Sequence, residues 1–255
     1  NAALIRRGPV VDYNYATRSI ARPHGWIFVI PLTSHTSYGY IYNSQINSIS
    51  DIDADLSEFL VAENVEVMGS DKQLSFPNFA CKDFFDGALF KIGNTASFLE
   101  PLEATALGII QAQITCAAQY PLKELAVLNG QPRGEIESAK IKDFNQFLSN
   151  TILKIVLFVG WHYGCGSPFE TDFWRFAKSN FQQEFDKLDN PSVVSEFQRF
   201  LRSGSEFNYW MYFNEARSSF GGITPASFYE IGNGIGYFAD LETQKLPQII
   251  HEQYI

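Results

Sequence analysis

The uncharged run Gly25-Trp26-Ile27-Phe28-Val29-Ile30-Pro31 constrains this chain most. Aromatic and β-branched side chains at that density favour a strand over a helix. Successive side chains of a strand point to opposite faces, so Trp26, Phe28 and Ile30 share one face while Ile27 and Val29 share the other. Both faces are apolar and both need covering. Residues 38–42, rich in tyrosine, follow across a short polar turn and are the expected hairpin partner. Ser50 with Asp53 three residues on matches a helix capping box, after which Ile52, Leu56, Phe59 and Leu60 mark the inward side of a short helix. Two more strand-like runs lie around residues 74–80 and 88–92. The stretch before Gly25 starts at Asn1 without a charged-then-apolar leader and reads as turn-rich around Gly8-Pro9, which suggests a piece of a longer chain.

Beyond residue 95 the periodicity becomes helical. Pro101 suits a first helical position, and an Ala/Ile/Gln-rich helix is expected to run to about Gln119. A long helix over about 138–159 would carry Phe144, Phe147, Leu148, Ile152, Ile155 and Val156 inward. Asn190-Pro191 opens another helix closing near Gly204, and Thr224-Pro225 opens a short one ending at Gly232. The expected class is α+β, with a β-rich part over 1–95 and a helical module over 96–255. No internal repeat is present.

Charge narrows the partners. Nineteen Lys and Arg against 28 Asp and Glu give a net charge of -9, and the basic residues are scattered apart from Arg6-Arg7. Nucleic acid and anionic membrane are poor partners for such a surface. Cys81, Cys116 and Cys165 form no C-x-x-C pair, and His24, His35, His162 and His251 lack ligand spacing, so neither a metal site nor a disulfide framework is expected. The most apolar run, 152–161, contains Lys154 and is far shorter than the ~20 residues a membrane helix needs. A soluble, cytoplasmic protein is the expectation.

Chemistry concentrates in residues 93–107, Gly-Asn-Thr-Ala-Ser-Phe-Leu-Glu-Pro-Leu-Glu-Ala-Thr-Ala-Leu. A strand running into a Gly turn and a helix start would gather unpaired backbone N–H groups, which suits an anion or the polar part of a cofactor. Ala104, Thr105 and Ala106 are small enough for a flat ring to approach the backbone. Glu103 has a purely structural alternative, because an acidic residue in the first turn complements the helix dipole. Trp26 and Phe28 could line a pocket or simply fill the core, and His162 beside Tyr163 reads as hydrogen-bonded structure more readily than as a catalyst. The glycines at 160–166 and 232–236 do not fit G-x-G-x-x-G and are turns. No G-x-S-x-G elbow or P-loop is present.

At these residues the sequence resembles the flavin-dependent tryptophan halogenases. Gly25 to Pro31 is similar to that family's G-W-x-W-x-I-P signature, with Phe28 in place of the second tryptophan, so Gly25, Trp26, Phe28, Ile30 and Pro31 are the matching positions. Residues 93–107 resemble its cofactor turn and P-L-E-S-T-G segment. Residues 158–174 resemble its F-V-x-x-H-Y and T-P-F-W elements, and 228–247 its Gly-rich segment near the C-terminus. The likeness spans about residues 17–247.

The resemblance implies part of a FAD-dependent α/β fold: a β-containing remnant of the flavin-binding module, then a mainly helical substrate-side module. The family's dinucleotide motif and reactive lysine are not in this chain. The implied activity of the complete protein is halogenation of an electron-rich aromatic, such as tryptophan or another indole, through a FAD hydroperoxide and hypohalous acid. A separate reductase would supply reduced flavin. Carried over by position, Glu103 is the catalytic glutamate, Thr105 and Ala106 hold halide, and Gly93, Asn94 and Leu107 touch FAD. Ala104 and Ala106 stand where the family has serine and glycine, and a left-handed backbone at Ala106 would be strained. An aromatic monooxygenase and a non-catalytic aromatic-ligand-binding homologue are the alternative readings.

Overall fold

A computed structural model describes residues 1–11, 16–119, 138–165, 167–205 and 219–237. The architecture is α+β, as the periodicity implies, and divides into two compact units, one formed by residues 1–77 and 163–183 and the other by 78–162 and 184–255.

The first unit is built on a five-stranded antiparallel sheet of β1 (Ala2–Gly8), β2 (Arg18–Arg22), β3 (Gly25–Pro31), β4 (Thr36–Tyr42) and β5 (Met68–Ser75), in the order β2-β3-β4-β1-β5. The expected hairpin forms: β3 and β4 pair from Gly25 with Tyr42 to Pro31 with Thr36. Ala2–Gly8, read from the sequence as turn-rich, is an inner strand paired with both β4 and β5. Arg6, on that strand, is buried because it bridges Asp53, Asp71 and the Ser57 hydroxyl.

Helix α1 (Ile49–Ala62) covers one face of the sheet. Ile52, Leu56, Phe59 and Leu60 enter a core with Leu4, Ile27, Val29 and Tyr40. Its capping box is Ser48 with Asp51, two residues ahead of the expected Ser50 and Asp53. Asp53 is engaged by Arg6 instead. Tyr40 donates to the buried Asp55 carboxylate at 2.6 Å, and Arg22 pairs with the same group. Trp26 and Phe28 point away from this core. Trp26 Nε1 donates to the Tyr163 hydroxyl at 2.8 Å and makes an edge contact with Phe28.

The second unit holds a small two-stranded sheet, β6 (Phe79–Ala80) with β7 (Ser97–Phe98), and α2 (Thr105–Gln119). The long helix α3 (Ser138–Cys165) outruns its expected end near 159. Phe144, Leu148, Ile152 and Ile155 are buried as expected, whereas Phe147 and Val156 are exposed. Helix α4 (Asp172–Asp186), most of which belongs to the first unit, is absent from the helices expected from the sequence, and α5 (Pro191–Ser205) and α6 (Pro225–Gly234) follow in the second unit. Thr224 caps α6 by accepting from the Ser227 N–H, ahead of Pro225. Residues 88–92 form no strand; Phe90 makes only an isolated bridge with Phe85. Rings of Phe158, Trp161, Phe197, Phe200, Phe220 and Phe228 pack together as this unit's aromatic core.

Among the described residues no helix is long and apolar enough to cross a membrane. The resembling segment 228–247 lies outside the described residues beyond 237.

Candidate active site

Residues 93–107 fold as a turn, a short strand, a tight turn and a helix start, rather than as one strand feeding a helix. Gly93–Thr95 is a single 3-10 turn, closed by the Ala96 N–H on the Gly93 carbonyl at 2.9 Å. Gly93 adopts φ +63°, which a glycine takes without steric cost. Its own N–H donates to Gln113 Oε1 at 2.9 Å, and Gln113 is fully buried on α2. This glutamine, not sequence adjacency, ties the Gly93-Asn94 turn to α2. The clue was present: Gln113 shares the inward stripe of Ile109, Cys116 and Ala117, where a polar residue needs a specific partner.

After β7, Leu99 and Glu100 are buried, and Pro101 leads into a 3-10 turn over Leu102–Ala104. Leu102 and Thr105 both turn inward, with the Thr105 hydroxyl donating to the Leu102 carbonyl at 3.3 Å. Between these anchors the backbone becomes left-handed at Glu103 (φ 58°, ψ 22°) and again at Ala104 (φ 51°). Such conformations cost L-residues about 1 to 2 kcal/mol each. The expected strain at Ala106 is absent, because Ala106 lies within the first turn of α2 and its φ is not positive. The left-handed demand falls two and three residues earlier.

The Glu103 side chain retains 36% exposure. Burial pushes its carboxyl above the usual range. Oε1 lies 4.0 Å from Nε2 of His162, whose side chain is 10% exposed. His162 Nδ1 is 2.8 Å from the Phe158 carbonyl one turn earlier in α3, and burial lowers the imidazole to about 4. The ring is therefore neutral at ordinary pH. The expected structural hydrogen bond exists, while the other ring nitrogen faces Glu103.

Thr105 and Ala106 supply first-turn amides of α2, which have no partner four residues back within the helix. Leu107 is 72% exposed, Asn94 is exposed, and a Cβ built at Gly108 would meet nothing within 4 Å. Asn94, Leu107 and Gly108 thus leave open surface. Gly25, Trp26, Phe28, Ile30 and Pro31 all lie on β3 of the first unit. Among the described residues no cluster of three potential metal ligands occurs.

Residues 2–216 match the family described as tryptophan halogenase. A curated relative, tryptophan 6-halogenase SttH of Streptomyces toxytricini, is 23% identical over 163 residues, which is 64% of this chain and 29% of the relative. The solved tryptophan halogenase from Shewanella frigidimarina NCIMB 400 superposes with a TM-score of 0.66 at 23% identity, covering 98% of this chain and 44% of that one. BrvH, a flavin-dependent halogenase from Brevundimonas sp. BAL3, gives 0.65 at 20% identity, covering 92% and 43%. The chain thus spans under a third of that curated relative and under half of those solved structures.

Proposed function

The chain belongs to the tryptophan halogenase family, and on that premise we propose that the full-length protein carrying it halogenates an electron-rich aromatic substrate such as tryptophan or another indole. The cofactor in this reading is FAD, reduced by a separate flavin reductase, and the halide is a co-substrate. The observation that carries the proposal is the placement of Glu103: a partly buried carboxyl on left-handed backbone, next to the first-turn amides of Thr105 and Ala106.

In this reading Gly93, Asn94 and Leu107 would hold the cofactor's ring end; Asn94 and Leu107 are exposed, and Gly108 next to Leu107 leaves open space. When bound, reduced flavin with O2 supplies the oxidising equivalent that makes halide electrophilic. The Thr105 and Ala106 N–H groups sit at the positive end of the α2 dipole and would hold the halide. Glu103 faces the substrate and orients the oxidant. As the halogen bonds to a ring carbon, that carbon's proton passes to the Glu103 carboxylate and aromaticity returns. The β3 residues Gly25, Trp26, Phe28, Ile30 and Pro31 carry the family's signature in this reading, and a low-charge, aromatic interior would keep water from the oxidant.

The test supplies the full-length protein with FAD, reductase, O2, chloride or bromide, and a panel of indoles, pyrroles and phenols. Halogenated product is identified by its isotope pattern. Glu103→Gln should cut product per flavin oxidised by about 10²-fold while flavin oxidation continues. A purely structural Glu103 would cost about 0.5 kcal/mol of stability and leave that coupling intact. Hydroxylated product alone would favour the monooxygenase, and ligand binding without turnover the non-catalytic homologue.

A further inference from the structure

We propose that His162 is the positioning residue for Glu103: its Nε2 accepts the hydrogen bond of the protonated Glu103 carboxyl, fixing the direction of that carboxyl and favouring the form that holds the substrate's proton. The inference rests on the reading of Glu103 as the proton acceptor in halogenation.

The hydrogen-bond inventory of the ring leads to it. The Phe158 carbonyl can only accept, so the 2.8 Å contact places the proton on His162 Nδ1. Nε2 of the neutral ring is then an acceptor. That atom is buried and has no partner, and buried polar atoms without one are uncommon. Its orientation is fixed, because the imidazole sits edge-on to Phe158 at 4.9 Å and to Trp161 at 5.7 Å.

The facing atom is Glu103 Oε1 at 4.0 Å. An ionised carboxylate has nothing to donate and would present lone pairs to a lone pair. A protonated carboxyl satisfies both atoms once Oε1 moves about 1 Å inward to hydrogen-bond distance. The charges on neighbouring elements are already engaged or lie on other helices. Lys154 pairs with Glu196 and Arg199 lies over Phe200; Arg202 and Glu230 lie on α5 and α6, and Glu100 is buried in the preceding loop. Burial is what moves Glu103, and burial with the Phe158 carbonyl is what acts on His162.

The proton inventory is simple. The ring C–H proton moves to the Glu103 carboxylate, the resulting O–H bonds to Nε2, and loss of that proton to solvent restores the carboxylate. His162 stays neutral throughout.

The experiment uses the full-length protein labelled with 13C at glutamate carboxyls, the Glu103 signal being the one lost in Glu103→Gln. His162→Phe keeps a ring among Phe158 and Trp161 but removes the acceptor, whereas His162→Gln returns a carbonyl oxygen to that side. Glu103 should titrate about one unit lower in His162→Phe, because an acceptor for the neutral form has been lost. His162→Gln should recover part of the shift. The acidic limb of kcat/KM should move down with it, with KM for the aromatic substrate unchanged. In the wild type, the 15N signal of Nε2 should follow the Glu103 titration, and this readout holds if the Phe variant does not fold. An unmoved Glu103 midpoint overturns the proposal. So does an upward shift, which loss of an imidazolium would cause, or a proton found on Nε2. Because the titration needs no turnover, an inactive wild type would defeat the halogenase reading separately.

Discussion

The Phe28 ring lies across Gly39, its cross-strand partner, so closely that a Cβ added to Gly39 would sit 1.9 Å from Phe28 Cζ. Gly39 is therefore the space in which Phe28 rests. Gly39→Ala should destabilise the protein by about 2 kcal/mol or more, because the ring must leave its rotamer or the strands must part. Urea unfolding of wild type and variant measures this. Phe28→Leu combined with Gly39→Ala should recover part of the loss.

Tyr40 joins two polar groups inside the first unit's core. Its hydroxyl donates to Asp55 and accepts the His24 N–H at 3.1 Å. Tyr40→Phe leaves the ring's packing intact and should cost about 2 kcal/mol, the range for a hydrogen bond to a buried charged group. Thermal melts at fixed pH provide the comparison.

Ala104 and Ala106 should respond to glycine with opposite signs. Glycine at 104 relieves a left-handed alanine and should stabilise the protein by about 1 kcal/mol. Glycine at 106 enters the first turn of α2 and should destabilise by roughly 0.5 to 1 kcal/mol. Denaturant midpoints for the two variants decide it, and equal signs would contradict the φ assignments.

His162 makes the fold sensitive to acid. Its folded-state pKa, about 4, lies below the ordinary histidine value of 6.5, so the unfolded chain binds the extra proton. Stability attributable to this ring is complete above pH 6.5 and falls as pH drops towards 4, by up to about 3 kcal/mol. Glu103 acts in the opposite sense: its raised value favours the folded state at low pH and loses that contribution as pH rises. Unfolding free energies at pH 7 and 4.5 should differ less in His162→Phe than in wild type.

Much of the fold was legible where side-chain alternation or helical spacing matched burial. Trp26 to Ile30 declared a strand covered on both faces, and Ile52, Leu56, Phe59 and Leu60 declared the inward side of α1. Ala2–Gly8 stayed hidden because alanines carry weak strand preference and Arg6-Arg7 looked like solvent-facing charge. Only the tertiary pairing of Arg6 with Asp53 and Asp71 lets that strand run through the sheet. The same pairing explains the misplaced cap, since Ser48-Asp51 and Ser50-Asp53 are equal as local patterns. At the candidate site, Glu103 stood out through its motif. The approach of His162 could not be read, because the two residues are far apart in sequence and meet only in the folded unit.

Strand β5 has consequences of its own. All eight of its residues are exposed, it occupies one margin of the sheet, and its pairing to β1 shifts register between Ile5 and Arg7. Its amides can therefore trade hydrogen with solvent through a local opening that leaves the core under α1 closed. Besides the ladder to β1, Arg6 ties this strand down through Asp71. An arginine on an inner strand thus helps to keep this edge strand attached, and β5 is the part of the sheet that deuterium should reach first.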